Sequence, residues 1–249
     1  MSLPAGGISS QADRRAMDWL LEERQPPVKY RTLTELQGRS EKDPEVKRAR
    51  KGITEVGWAK DILDEQLPGG SWVQEKSLFS PTFHATFWKL LVLSDLGLTK
   101  EDPRIDKACQ LWMKRNGTKD GGFSSSGKAG GHLCITGNSA RALVKFGYAD
   151  HPKVKRAFEW IVKNQAEKGG WSCWNFGKHP YRKRTLDSWE PLSAFAVPPT
   201  EVDAEHETGL RKGRGVLPGK GAPQGRSPLG AMVPFPLSGP LLLRPARRA

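Results

Sequence analysis

Residues 151–171 read HPKVKRAFEWIVKNQAEKGGW, and this stretch contains the unit on which the fold is built. A proline stands in the first turn, where it favours the start of a helix. Apolar residues then follow at the spacing of one helix face, i, i+3, i+4, i+7 and i+8: Val154, Ala157, Phe158, Ile161 and Val162. The stretch closes on a glutamine, two glycines and a tryptophan. It therefore predicts an amphipathic helix that ends in a glycine turn with an aromatic anchor.

The same unit occurs twice more, upstream. Two other helices are predicted to begin at Pro44 and Pro103, each after an aspartate that suits the N-cap position. The aromatic anchors of the three turns recur at intervals of about 50 residues: Trp72, Phe123 and Trp171. A fragment of an earlier copy lies at residues 28–36. The chain is therefore an array of repeats.

A second and more apolar helix is predicted after each anchor, over residues 86–96, 137–146 and 187–197. Repeated helix pairs bury their apolar faces by stacking on one another. The sequence thus predicts an all-α fold of three to four helix pairs in two layers, with the more apolar helices inside.

Composition narrows the classes of function. The chain has 249 residues and a net charge of +13, but its basic clusters fall mostly on polar helix faces with no alternating aromatic residues. Nucleic-acid binding is therefore not predicted. No apolar run approaches the roughly 18 residues of a membrane span. Three cysteines and an N-terminus without a secretory pattern predict a soluble, cytoplasmic protein.

Three segments are predicted along the chain: an N-terminal segment at residues 1–27, the repeat domain at 28–198 and a tail at 199–249. The tail is basic, rich in proline and glycine, and lacks helical periodicity, which predicts disorder. Because the repeat stops abruptly, a shifted reading frame is a hypothesis for the origin of the tail. Translation of the gene in its other frames tests it.

The glycine turns resemble a known motif. Residues 66–72 and 165–171 fit the Gln-x(2–5)-Gly-x-Trp element of squalene/hopene cyclases, and residues 120–123 are a degenerate copy with Gly117 in the place of the glutamine. The chain therefore resembles the prenyltransferase/squalene-cyclase repeat superfamily, whose fold is an α/α toroid around an apolar cavity. The resemblance implies an incomplete barrel, since a closed toroid has more repeats than this chain.

The resemblance also implies a function in handling an isoprenoid or a polycyclic lipid, through prenyltransferase-like or terpene-cyclase-like chemistry if the chain is an enzyme. The alternative is a helical-repeat scaffold without catalytic activity that binds a protein partner on its concave face. In a toroid, a site is expected where the inner helices begin. Five residues at equivalent repeat positions there are candidate substrate contacts: Thr86, Trp88, Thr136, Asn138 and Trp189.

A zinc site is a further hypothesis. Protein prenyltransferase β subunits bind zinc through an aspartate, a cysteine and a histidine, and the resemblance places His132 in the histidine role. The segment that would carry the other two ligands is changed, with Thr82 and His84 in their places. A different set of side chains would satisfy the tetrahedral coordination of Zn²⁺. It would be drawn from His84, His132, Cys134, Cys173 and Asp187. The alternative is a buried thiol with a hydrogen-bonded histidine.

Asp187 is the carboxylate predicted to lie at the mouth of the cavity, and it is the candidate catalytic acid. Burial could raise its pKa and suit it to protonating an alkene. It could equally cap the last inner helix. The Asp-x-Asp-Asp cluster of squalene-type cyclases does not occur in the chain.

Overall fold

Helices make up the regular structure of the computed structural model, which describes residues 11–74, 76–166, 170–172 and 188–197. Within those residues the only β pairing is an isolated bridge between Gly117 and Phe123, so the all-α prediction is confirmed. The tail at 199–249 lies outside them. The helices are α1 (Gln11–Leu20), α2 (Pro26–Arg31) with a π-helical turn at Thr32–Leu36, α3 (Pro44–Gly52), α4 (Trp58–Asp64), α5 (Thr86–Asp95), α6 (Pro103–Asn116), α7 (Leu133–Lys145), α8 (Pro152–Lys163) and α9 (Trp189–Phe195).

Three helices begin at the prolines that the repeat predicts. In α3, α6 and α8 the residue before the proline is extended, and its side chain accepts a hydrogen bond from the N–H two residues later. The cap is Asp43 in α3 and Asp102 in α6, with N···O distances of 2.8 Å in both. In α8 the cap is the imidazole of His151, at 3.2 Å. The predicted helix starts are thus confirmed, each with a side-chain cap.

The predicted two-layer order is seen in the packing of the later helices. Helix α7 packs against α5 and α9, which are the other two inner helices, and against the outer helix α8. Outer helices α6 and α8 are joined by Lys153, whose ammonium donates to the Met113 carbonyl oxygen at 2.6 Å. The main core lies between these layers, and Trp112, Phe123, Phe146 and Phe195 are among its fully buried residues.

Helix α7 begins at Leu133, four residues before the predicted start at Gly137. Gly137 therefore lies inside the helix, where a Cβ atom would stand 2.6 Å from the carbonyl carbon of Glu190 in α9. The glycine does not start the helix. It allows the backbones of two inner helices to approach each other closely.

The first outer helix is interrupted. The repeat predicts a single helix from Pro44 to the turn at Gln66, but the structure has α3 and α4 with a break between them. Gly57, at the break, has a φ of +80°, and a Cβ there would lie 2.6 Å from the Arg24 carbonyl oxygen. The break therefore makes room for the segment that leads into α2. Across the described residues, no helix has the length and apolar character needed to cross a bilayer.

Candidate functional site

Each aromatic anchor is tied to the start of its inner helix by a hydroxyl group. The backbone N–H of the anchor donates to the hydroxyl oxygen of a threonine or serine, and we call this bond the hydroxyl clip. The three clips join Trp72 to Thr86 (3.3 Å), Phe123 to Thr136 (2.9 Å) and Trp171 to Ser188 (3.0 Å). All three hydroxyl-bearing residues are buried. The clips are part of the scaffold, and each of the three repeat units has one.

Two of the predicted contact residues form clips. Thr86 and Thr136 are both 0% exposed, and their hydroxyls bond to turn backbone. By the repeat spacing of about 50 residues, the position of Thr86 and Thr136 falls on Asp187 in the third repeat. The structure gives that position to Ser188 instead. Asp187 itself lies outside the described residues, so its proposed role as an acid stays a prediction.

Side-chain amides tie the turns to neighbouring backbone. The Gln66 amide nitrogen donates to the carbonyl oxygens of Gly70 at 3.2 Å and of Arg104, in the next outer helix, at 2.9 Å. Gln66 thus ties the end of α4 to its glycine turn and to the first turn of α6. In the second turn Asn116 takes this role, donating at 3.0 Å to the carbonyl oxygens of the serines at 124 and 125. The sequence motif missed it, because it placed Gly117 in the position of the glutamine.

The other three predicted contact residues differ in their surroundings. The Trp88 ring is half-buried, and its indole N–H donates to the Phe79 carbonyl oxygen at 2.9 Å. Asn138 turns back on its own helix and donates to the Cys134 carbonyl oxygen at 3.0 Å. Trp189, at the start of α9, is 45% exposed. Of the three, Trp88 belongs to a larger aromatic group.

An aromatic surface lies at the start of α5. The Phe83 ring is 74% exposed and lies 5.4 Å from the Trp88 ring, measured between centroids. Behind Trp88 are Phe79 at 5.4 Å and Phe87 at 5.0 Å. Phe83 also has a φ of +67°, which is a true outlier for a bulky residue. Strained residues of this kind cluster at functional sites. No pattern in the sequence marks Phe83 as a site residue, because its distinguishing feature is a backbone angle.

The predicted zinc ligands are placed as follows. His84 is exposed in the loop before α5, while His132 precedes α7 and Cys134 lies in its first turn, both half-buried. In the part of the chain that the structure describes, no three His, Cys, Asp or Glu residues come together as metal ligands. Cys173 and Asp187 lie outside that part. The zinc set that includes them therefore stays a prediction.

Cys109 is a structural thiol. It is fully buried in α6, within the main core. Burial, with a smaller contribution from the negative charge of Asp106, raises the pKa of the thiol far above its ordinary value. The thiolate, which is the reactive form of cysteine, is therefore disfavoured at neutral pH.

Removal of the second clip is expected to destabilise the protein. In Thr136→Val the Phe123 N–H loses its partner while buried, which costs about 2 kcal/mol of unfolding free energy. Thr136→Ser keeps the hydroxyl and should lose less than half as much. Urea unfolding of the two variants measures the difference. Equal stabilities would mean that the clip does not hold the turn.

No protein-family model matches the chain. It is 30% identical over 117 residues to the squalene–hopene cyclase of Bradyrhizobium diazoefficiens, a match that covers 43% of this chain and 17% of that protein. The chain thus spans less than a fifth of this relative's length. The similarity supports a relationship with the terpenoid cyclase superfamily and goes no further.

Proposed function

We propose that this chain binds an isoprenoid or polycyclic lipid, and that the aromatic surface formed by Phe83 and Trp88 is its contact. The observation that supports the proposal most directly is the exposed Phe83 ring. A backbone conformation that is unfavourable for phenylalanine holds this ring against Trp88. The name of the partial relative, a squalene–hopene cyclase, supports a lipid as the class of ligand.

The chemistry of the surface suits such a ligand. Aromatic rings offer large apolar faces, and binding sites for small molecules are lined mainly by apolar and aromatic groups. The indole of Trp88 is fixed by its hydrogen bond to the Phe79 carbonyl oxygen and by the rings of Phe79 and Phe87. A group that is already held in place loses little freedom when a ligand binds. The proposal concerns binding, and it does not depend on a catalytic step.

Equilibrium binding of a radiolabelled long-chain prenyl diphosphate tests the proposal. We expect saturable binding to the wild-type chain and a dissociation constant about tenfold higher for Trp88→Leu, a loss of about 1.4 kcal/mol. Trp19→Leu is the matched control, because Trp19 is 62% exposed in α1, far along the chain from the aromatic surface. Its affinity should equal that of the wild type. A lack of saturable binding, or equal losses in both variants, would contradict the proposal.

A second candidate is a scaffold that binds a protein partner. It is favoured by the hydroxyl clips, because Thr86 and Thr136, two polar positions expected to face a cavity, are used to hold the turns instead. Light scattering of the purified protein over a range of concentrations separates the candidates. A monomer at all concentrations, with no co-purifying partner and saturable lipid binding, would disfavour the scaffold.

A further inference from the structure

Of the three outer-helix caps, one can titrate near neutral pH. Asp43 and Asp102 cap α3 and α6 with carboxylates. In α8 the Nδ1 atom of His151 accepts the Lys153 N–H at 3.2 Å. An imidazole nitrogen accepts a hydrogen bond only while it carries no proton. This cap therefore requires neutral His151.

The surroundings of His151 disfavour its charged form. Burial lowers its pKa from the ordinary value of 6.5, and the positive charges of Lys153, Arg156 and Lys100 lower it further. A cation at a helix N-terminus also opposes the helix dipole. The nearby acids are engaged elsewhere, since Asp150 pairs with Lys155, and Asp106 accepts from the hydroxyl of Tyr148, whose ring meets the imidazole edge-on at 6.2 Å.

We propose that His151 is a pH-sensitive cap: protonation of its Nδ1 removes the acceptor for the Lys153 N–H and loosens the first turn of α8. That turn carries the Lys153 ammonium, which holds the end of α6 through the Met113 carbonyl oxygen at 2.6 Å. Just after α6, Gly117 pairs with Phe123 in the β-bridge. The Phe123 carbonyl oxygen in turn accepts from the His132 N–H at 2.8 Å, where α7 begins. The cap thus stands at one end of a chain of contacts that leads to an inner helix.

The direction of the effect on stability follows from the difference between the pKa of His151 in the folded chain and in the unfolded chain. Because folding lowers the pKa of His151, the unfolded chain binds the proton first as the pH falls below 6.5. The contribution of the cap to stability is therefore complete above that pH. This contribution is lost as the pH falls from 6.5 through the lower pKa that His151 has in the folded protein.

Urea unfolding of the full chain at pH 7.5 and pH 5.5 tests the proposal with His151→Asn. Asparagine is a good cap and does not titrate. We expect the wild-type midpoint to fall more between the two pH values than the midpoint of His151→Asn. The matched control His84→Asn removes an exposed histidine that caps no helix, and it should fall as much as the wild type. Parallel falls in wild type and His151→Asn would overturn the proposal.

A second measurement applies even if His151→Asn fails to fold. In the wild-type protein, hydrogen exchange of the Lys153 amide, corrected for the intrinsic effect of pH, should lose about fivefold in protection at pH 5.5, as expected for the loss of a cap. The Arg104 amide, capped by Asp102, serves as the internal reference. Equal changes at the two amides would overturn the proposal.

Discussion

Replacement of Trp112 by alanine is expected to lower the free energy of unfolding by about 4 kcal/mol. The indole is 1% exposed and donates to the Ser139 hydroxyl at 3.0 Å. It stacks on Phe123 with the ring planes 7° apart, and it contacts Phe87 at 5.0 Å between centroids. The substitution removes a fully buried indole from the main core and leaves a cavity. Urea unfolding monitored by circular dichroism measures the loss.

Trp19→Ala is the matched control, because Trp19 is 62% exposed. It should change stability by about 0.5 kcal/mol or less. Trp112→Phe should fall between the two, since it keeps an aromatic ring but leaves the Ser139 hydroxyl without its donor. If Trp112→Ala were as stable as Trp19→Ala, the indole would not lie in the core.

Gly137→Ala is expected to destabilise the protein by about 2 kcal/mol. Alanine in place of glycine normally stabilises a helix interior by about 1 kcal/mol. Here the new Cβ would lie 2.6 Å from the Glu190 carbonyl carbon and 2.8 Å from the Pro191 nitrogen, and α7 and α9 must move apart. The sign of the change therefore reports the contact between these helices.

Gly52→Ala is the matched control for this substitution. Its Cβ would meet only side-chain atoms of Pro26, at 3.2 and 3.3 Å, in the last turn of α3. The change in stability should be smaller than for Gly137→Ala. A gain in stability for Gly137→Ala, measured by the same urea titration, would show that the backbones of α7 and α9 are not in contact.

The parts of the fold that depend on short-range signals follow from the sequence. Pro44, Pro103 and Pro152 begin helices because proline suits the first helical turn, and the residue before each of them provides a cap. The apolar spacing of the outer helices likewise predicts the buried face of α8, where Val154, Ala157 and Ile161 are in the core. These features are set within a few residues.

Features that depend on contacts between distant residues do not follow in this way. The break before Trp58 exists because Arg24 approaches Gly57, and no local pattern marks that approach. The third clip residue, Ser188, lies one residue beyond the position that the repeat spacing predicts. The reason is that the loops from anchor to clip differ in length, with separations of 14, 13 and 17 residues. The strain at Phe83 is likewise a property of its backbone angle in the folded chain, and the sequence around it has no pattern that indicates it.

The hydroxyl clips have a consequence for how the chain folds. Each clip closes a loop of 13 to 17 residues, and loops of about this size close within tens to hundreds of nanoseconds in a flexible chain. Each turn can therefore close on its own inner helix before neighbouring repeats dock. We expect folding to proceed by the addition of helix pairs, with the loss of one clip slowing the formation of its own repeat and leaving the earlier pairs intact.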